Sequence, residues 1–96
     1  MTNLEIRTLD NGEPLRFEVR VSDGKHATRH EVTLSRKQLD TLASGSAAPE
    51  QCVEAAFRFL LDREPKEAIL SRFDFGVIAK YFPEFLHEFP HYLAAR

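Results

Sequence analysis

The sequence predicts an α+β fold: an N-terminal three-stranded antiparallel meander covered by three to five C-terminal helices. Three observations carry this expectation. Through the first third of the chain, apolar residues alternate with polar ones at a period of two, as half-buried strands require. From Ser35 onward the apolar spacing lengthens to three and four residues, the helical period. The 96 residues also suit one domain, since domains commonly run to roughly 100–150 residues. A single domain over 1–96 is expected, with a strand region at 1–34 and a helical region at 35–96.

Each strand has its own pattern. Leu4 and Ile6 alternate with Glu5 and Arg7 in the first. Leu15, Phe17, Val19 and Val21 alternate with Arg16, Glu18 and Arg20 in the second, the cleanest run in the chain. His30, Val32 and Leu34 alternate with Arg29, Glu31 and Thr33 in the third. Asp10-Asn11-Gly12-Glu13-Pro14 and Ser22-Asp23-Gly24-Lys25 separate them, and each contains a residue that tolerates positive φ, as tight turns demand. A sheet with one apolar face is stable only when that face is covered.

The covering helices follow in order. Ser35 and Gln38 have capping-box spacing, and Leu39 and Leu42 give a short helix its stripe until near Ser44-Gly45. Ser44-Gly45-Ser46-Ala47-Ala48 reads as a loop. Pro49 suits the first position of a second helix, with Glu50 in its first turn. Val53, Ala56, Phe57, Leu60 and Leu61 then trace one apolar face. Pro65 is expected to open a third helix carrying Ala68, Ile69 and Leu70. Phe73, Phe75, Ile78, Tyr81 and Phe82 continue a helical face as far as Pro83, beyond which only short turns are expected.

Composition narrows the function. Apolar residues make up 43% and charged residues 29%, which suits a globular chain and is too apolar for disorder. Thirteen basic against fifteen acidic side chains give a net charge of −2, the wrong sign for a nucleic-acid surface. One cysteine forms no internal disulfide, so the fold must stand on packing. The segment Met1-Thr2-Asn3-Leu4-Glu5-Ile6-Arg7 has neither a basic n-region nor a long apolar run, so no signal peptide or membrane span is expected. A cytoplasmic protein is the natural expectation.

Several short motifs imitate chemistry. His87-Glu88-Phe89-Pro90-His91 matches the HExxH zinc-protease pattern, which needs both histidines on one helical face and the glutamate as general base. Pro90 is expected to break that helix, so the match is read as false. Asp74-Phe75-Gly76 copies the kinase magnesium triplet without a glycine-rich loop or HRD segment; Asp74 is read instead as a helix N-cap and Phe75 as a core anchor. Cys52 is expected to be buried, and Glu54 with Arg58 to form an i,i+4 surface pair. No catalytic, metal-binding or cofactor-binding residue is assigned, and no cofactor is expected.

Aromatic residues are the uneven feature. Nine of the ten lie between Phe57 and Tyr92. Phe82-Pro83-Glu84-Phe85-Leu86 is echoed seven residues later by Phe89-Pro90-His91-Tyr92-Leu93. The aromatics either close the end of the core or form a surface for a partner protein or a second copy of the chain. The candidate surface comprises Tyr81, Phe82, Phe85, Phe89 and Tyr92.

Two resemblances follow from these residues. His30-Glu31-Val32-Thr33-Leu34-Ser35, then Arg36 to Ala43 and Pro49 to Arg63, resembles a ribbon-helix-helix DNA-binding unit. That resemblance implies a strand shared between two chains, with Arg29, Glu31 and Thr33 facing the major groove and Val32 and Leu34 facing the core. The run Glu64-Pro65-Lys66-Glu67-Ala68-Ile69-Leu70, with Arg72-Phe73-Asp74, Val77-Ile78 and Tyr81-Phe82-Pro83-Glu84-Phe85, is similar to a group of small bacterial proteins of unknown function. It implies a bacterial protein and no particular activity. The expected function is a non-catalytic interaction or regulatory module, with a dimeric DNA-binding regulator as the alternative.

Overall fold

The computed structural model describes residues 2–43 and 47–94. Three strands come first: β1 (Asn3–Asp10), β2 (Leu15–Ser22) and β3 (Ala27–Leu34). Two helices follow, α1 (Arg36–Ala43) and α2 (Pro49–Leu61). A 3-10 turn (Lys66–Ala68) leads into β4 (Arg72–Asp74), then α3 (Val77–Tyr81) and α4 (Phe85–Ala94). The expected end of α1 and start of its loop, at residues 44–46, lie outside the described residues.

The meander forms as its alternation requires. β1 pairs β2 with Ile6 opposite Val19, and β2 pairs β3 with Phe17 opposite Val32, both antiparallel. Gly24 adopts φ +92° in the Asp23-Gly24 turn, a conformation open to glycine and costly for most side chains. Gly12 needs no such freedom; its N–H donates to the Asp10 side chain at 2.9 Å. Leu15, Phe17, Val19, Val21, Val32 and Leu34 are all buried on one face.

A fourth strand corrects the expected three. β4 joins β3 in parallel, with Val32 opposite Phe73 and Thr33 opposite Asp74, giving the order β1-β2-β3-β4. Parallel pairing needs a long crossover, and residues 35–71, containing α1 and α2, provide it. The helix expected from Pro65 is therefore only one 3-10 turn. Ile69 is buried and Leu70 exposed, and Phe73 and Phe75, two residues apart, lie on a strand and its exit rather than along one helix face.

Local capping explains the first helices. Ser35 Oγ accepts from the Gln38 N–H at 3.0 Å, and Gln38 Oε1 accepts from the Ser35 N–H at 2.8 Å, a reciprocal capping box. Pro49 opens α2, and the Ala48 N–H donates to Gln51 Oε1 at 2.9 Å. Glu54 and Arg58 pair at 3.3 Å on its exposed side.

α2 is buried on two sides. Phe57 reaches the sheet, 5.5 Å from the His30 ring and 6.0 Å from Phe73 between centroids. Phe59 points the other way, into Phe82, Phe85 and Tyr92 at 5.9, 4.9 and 5.7 Å. Phe85 and Tyr92 belong to α4, where only short turns were expected, and Phe82 to its approach. Phe82, Phe85, Phe89 and Tyr92 are spaced by three, four and three residues, which is a helical stripe. Pro90 sits inside α4 on its exposed side. Leu86, whose carbonyl would have accepted from the residue at position 90, is itself exposed, and on a solvent-facing side a helix tolerates that loss.

Arg63 seals this side. Its guanidinium lies 3.7 Å over the Phe59 ring, Nε donates to Glu84 at 3.0 Å, and a further N–H reaches the Phe59 carbonyl at 3.3 Å. Tyr92 donates its hydroxyl to Asp62, and that bond raises the phenol pKa. Phe59 is fully buried. Truncating a core phenylalanine costs about 3–5 kcal/mol, so Phe59→Ala should lower the urea unfolding free energy by that amount. Leu86→Ala, at an exposed position, should stay within about 0.5 kcal/mol; similar losses from both would place Phe59 outside the core.

Candidate functional site

The first candidate region is the open face of the sheet. Cross-strand rows bring Glu5, Arg20 and Arg29 together, then Arg7, Glu18, Glu31 and Arg72, then Asp10, Arg16, Thr33 and Asp74. Arginines and carboxylates are balanced across these rows. Glu31 pairs with Arg16 at 3.1 Å and with Arg72 at 3.9 Å, Arg20 with Glu5 at 3.0 Å, and Thr33 donates to Asp74 at 2.8 Å. The residues singled out for DNA contact, Arg29, Glu31 and Thr33, do share this face. Two of them are engaged with neighbours on the same sheet. β3 is paired by β2 on one edge and by β4 over Glu31–Thr33 on the other, so a ribbon shared with a second chain has no edge there.

Asp74 ends β4 as an acceptor of three hydrogen bonds, from Thr33 Oγ1, the Gln38 side chain and the Gly76 N–H at 2.8, 2.9 and 2.9 Å. Burial pushes its carboxyl up, and the donors outweigh that and hold it below the usual range. It therefore closes an Asx turn, whereas the N-cap of α3 is Gly76. Phe75 is buried as expected, and so is Cys52.

The HExxH residues lie on α4 after all, contrary to the expected break at Pro90. His87 and His91 are exposed one turn apart, and Glu88 turns toward Arg63 at 3.9 Å. Among the described residues no group of three or more His, Cys, Asp or Glu side chains is placed to share a metal ion.

The aromatic candidates separate by burial. Phe85 and Phe89 are interior, so they cannot form a partner surface; Phe82 and Tyr92 are half-buried. Tyr81 alone is largely exposed, at 67%. It stands on the rim of a groove of about 410 Å³ lined by Leu60, Glu64, Ala68, Ile69, Leu70, Phe73, Val77, Ile78, Tyr81 and Phe82. The volume falls in the range of roughly 300–1,000 Å³ typical of ligand pockets. Leu70, 47% exposed, lines the same groove.

This groove was hidden from sequence reading because its walls come from the end of α2, the segment after the 3-10 turn, β4 and α3. The one sequence signal was Leu70 itself, a large apolar residue beside the buried Ile69. A smaller depression of about 330 Å³ lies between α1, α3 and α4, with Leu86 exposed beside it. Its Gln38 is already committed to Ser35 and Asp74.

Two ties hold the segment 66–70 in place. Lys66, almost fully buried, donates from Nζ to Asp23 at 2.6 Å and Glu67 at 2.8 Å. Its hydrogen bond to Asp23 raises the ammonium pKa and lowers that of Asp23. His30 forms the second tie. The Leu70 carbonyl lies 2.7 Å from Nδ1, so Nδ1 carries the proton and Nε2, 2.7 Å from the Thr28 hydroxyl, accepts. Among the described residues no buried side-chain polar atom lacks a partner.

No family model, curated protein or solved structure matches the chain. Among the described residues no helix is long and apolar enough to cross a membrane.

Burial lowers the His30 pKa, and the hydrogen bond to Leu70 opposes this only in part. The folded state therefore resists a proton that the unfolded chain takes up near pH 6.5. Stability from His30 is complete above that pH and falls as pH drops toward the lower folded value. Urea midpoints should decline on acidification from pH 7 to 5, before the carboxylates titrate. His30→Gln should flatten that interval, and an unchanged slope in the variant would contradict the assignment.

Proposed function

We propose that the protein is a non-catalytic interaction module that takes an apolar segment of a partner protein into the groove between α2, β4 and α3. The observation that carries this reading is that two large apolar side chains, Leu70 and Tyr81, are both exposed and both line the same mainly apolar trough. Large apolar side chains exposed beside a cavity mark interaction sites. Their position also fits: the groove floor is fixed from beneath by Phe73 and Ile78, and its wall by the Lys66 and His30 ties. A preorganised surface loses little freedom on binding.

The non-catalytic part of the proposal is supported by how the polar side chains are used. Asp74, His30, Lys66 and Arg63 each hold two elements of the fold together. A cytoplasmic setting belongs to the same reading, since the only cysteine is interior and the fold relies on packing. The DNA-binding alternative gains no specific observation: the open sheet face is charge-balanced and β3 is paired on both edges.

Position-resolved photocrosslinking tests the proposal. A benzophenone amino acid at position 70 or 81 should give a discrete adduct with a partner protein in extracts of the cells that make this chain. The same group at position 29, on the open sheet face, should give none. Adding Leu70→Asp to the position-81 probe should remove the adduct without shifting the unfolding midpoint, because Leu70 is half exposed. An adduct confined to position 29 would contradict the proposal.

A further inference from the structure

The groove is apolar except at one point. Among the described residues, Glu64 is the only charged side chain in its lining. It stands in the turn after α2, its N–H bonded to the Leu60 carbonyl at 2.9 Å. Its carboxylate has no ion pair and no hydrogen bond among the described residues, unlike Glu54, Glu67 and Glu84, which all have a cation within 3.3 Å. Burial raises its pKa, and no neighbouring cation or donor offsets that. An anion against apolar walls is unfavourable until something compensates it. The carbonyl end of α2 adds partial negative charge at the same spot, because helix C-termini favour cations. Arg63, next in sequence, is turned away onto Phe59, Glu84 and Tyr92.

We propose that the groove selects a partner segment combining bulky apolar side chains with one basic side chain, whose cation seats on Glu64 while the apolar groups pack between Leu70 and Tyr81. This rests on the interaction-module reading and adds the partner's chemistry. The Glu64 carboxylate can accept from an ammonium or guanidinium, and Leu60, Phe73 and Ile78 supply the apolar floor. The outer sheet face carries rows of charged side chains, most of them paired with one another, and so lacks the apolar trough that this combination needs.

Panning a random peptide library on the immobilised full chain tests this directly. Enriched peptides should carry aliphatic or aromatic residues flanking a Lys or Arg. A synthetic peptide of the leading sequence should bind about ten- to a hundredfold more weakly to Glu64→Gln, the range expected for losing a hydrogen bond to a charged group. It should not bind Leu70→Asp. Peptides without a basic residue, equally tight on Glu64→Gln yet lost with Leu70→Asp, would overturn the cation and leave the groove standing. Peptides indifferent to Leu70→Asp would overturn both. A dimer in solution that Leu70→Asp dissociates would make a second copy the occupant and overturn the partner assignment.

Discussion

A short helix buried on two sides can persist only between two covers, and α2 is such a helix. Phe57 and Phe59 are two residues apart, and on a helical turn of about 100° per residue they face nearly opposite directions. One lies against His30 and Phe73 of the sheet, the other against Phe85 and Tyr92 of α4. Everything else in the fold answers to that demand. The meander exposes one apolar face to receive Phe57. The chain returns to the sheet as β4, bringing Phe73 beneath it, and then doubles back as α4 to close over Phe59. Arg63, stacked on Phe59 and bonded to Glu84, fixes the last step.

How much of this was legible depends on whether the signal is local. The strands were, because Leu15, Phe17, Val19 and Val21 alternate without interruption. So was the capping box at Ser35 and Gln38, whose partners are three residues apart. β4 was not. It is three residues long, and its partner in β3 lies about forty residues earlier, so nothing local marks it except the i, i+2 spacing of Phe73 and Phe75. On α2 the stripe Val53, Ala56, Phe57, Leu60 was legible, while the second stripe, Cys52, Ala55 and Phe59, passed unnoticed beside it. α4 was masked by Pro90. A proline forbids a helix only where the lost hydrogen bond cannot be replaced, and on an exposed side water replaces it.

The candidate site was less legible than the fold, for a related reason. The aromatic excess near the C-terminus pointed to Phe85 and Phe89, which turn out to be interior: Phe85 covers Phe59, and Phe89 packs on Phe75 and Phe85. Aromatics needed for a second cover look, in sequence, like aromatics spare for a partner. The surface that remains is set by residues of modest appearance. Glu64 sits in a run of charges, Asp62-Arg63-Glu64-Pro65-Lys66-Glu67, where nothing distinguishes it. Only the structure separates them: Asp62 on Tyr92, Arg63 on Glu84, Lys66 on Asp23 and Glu67, and Glu64 in an apolar trough. The fold and the groove also share their supports, since the ties that dock segment 66–70 to the β2–β3 hairpin also anchor Ala68, Ile69 and Leu70, which line the groove.

Native-state hydrogen exchange tests the two-cover account most directly. If α2 depends on both covers, its amides and those of α4 must open together, with exchange free energies near that of global unfolding. The amides of β2 and β3 should join the same cooperative unit. Exchange of α4 through a separate opening, with α2 still fully protected, would show that the second cover is dispensable and contradict the account.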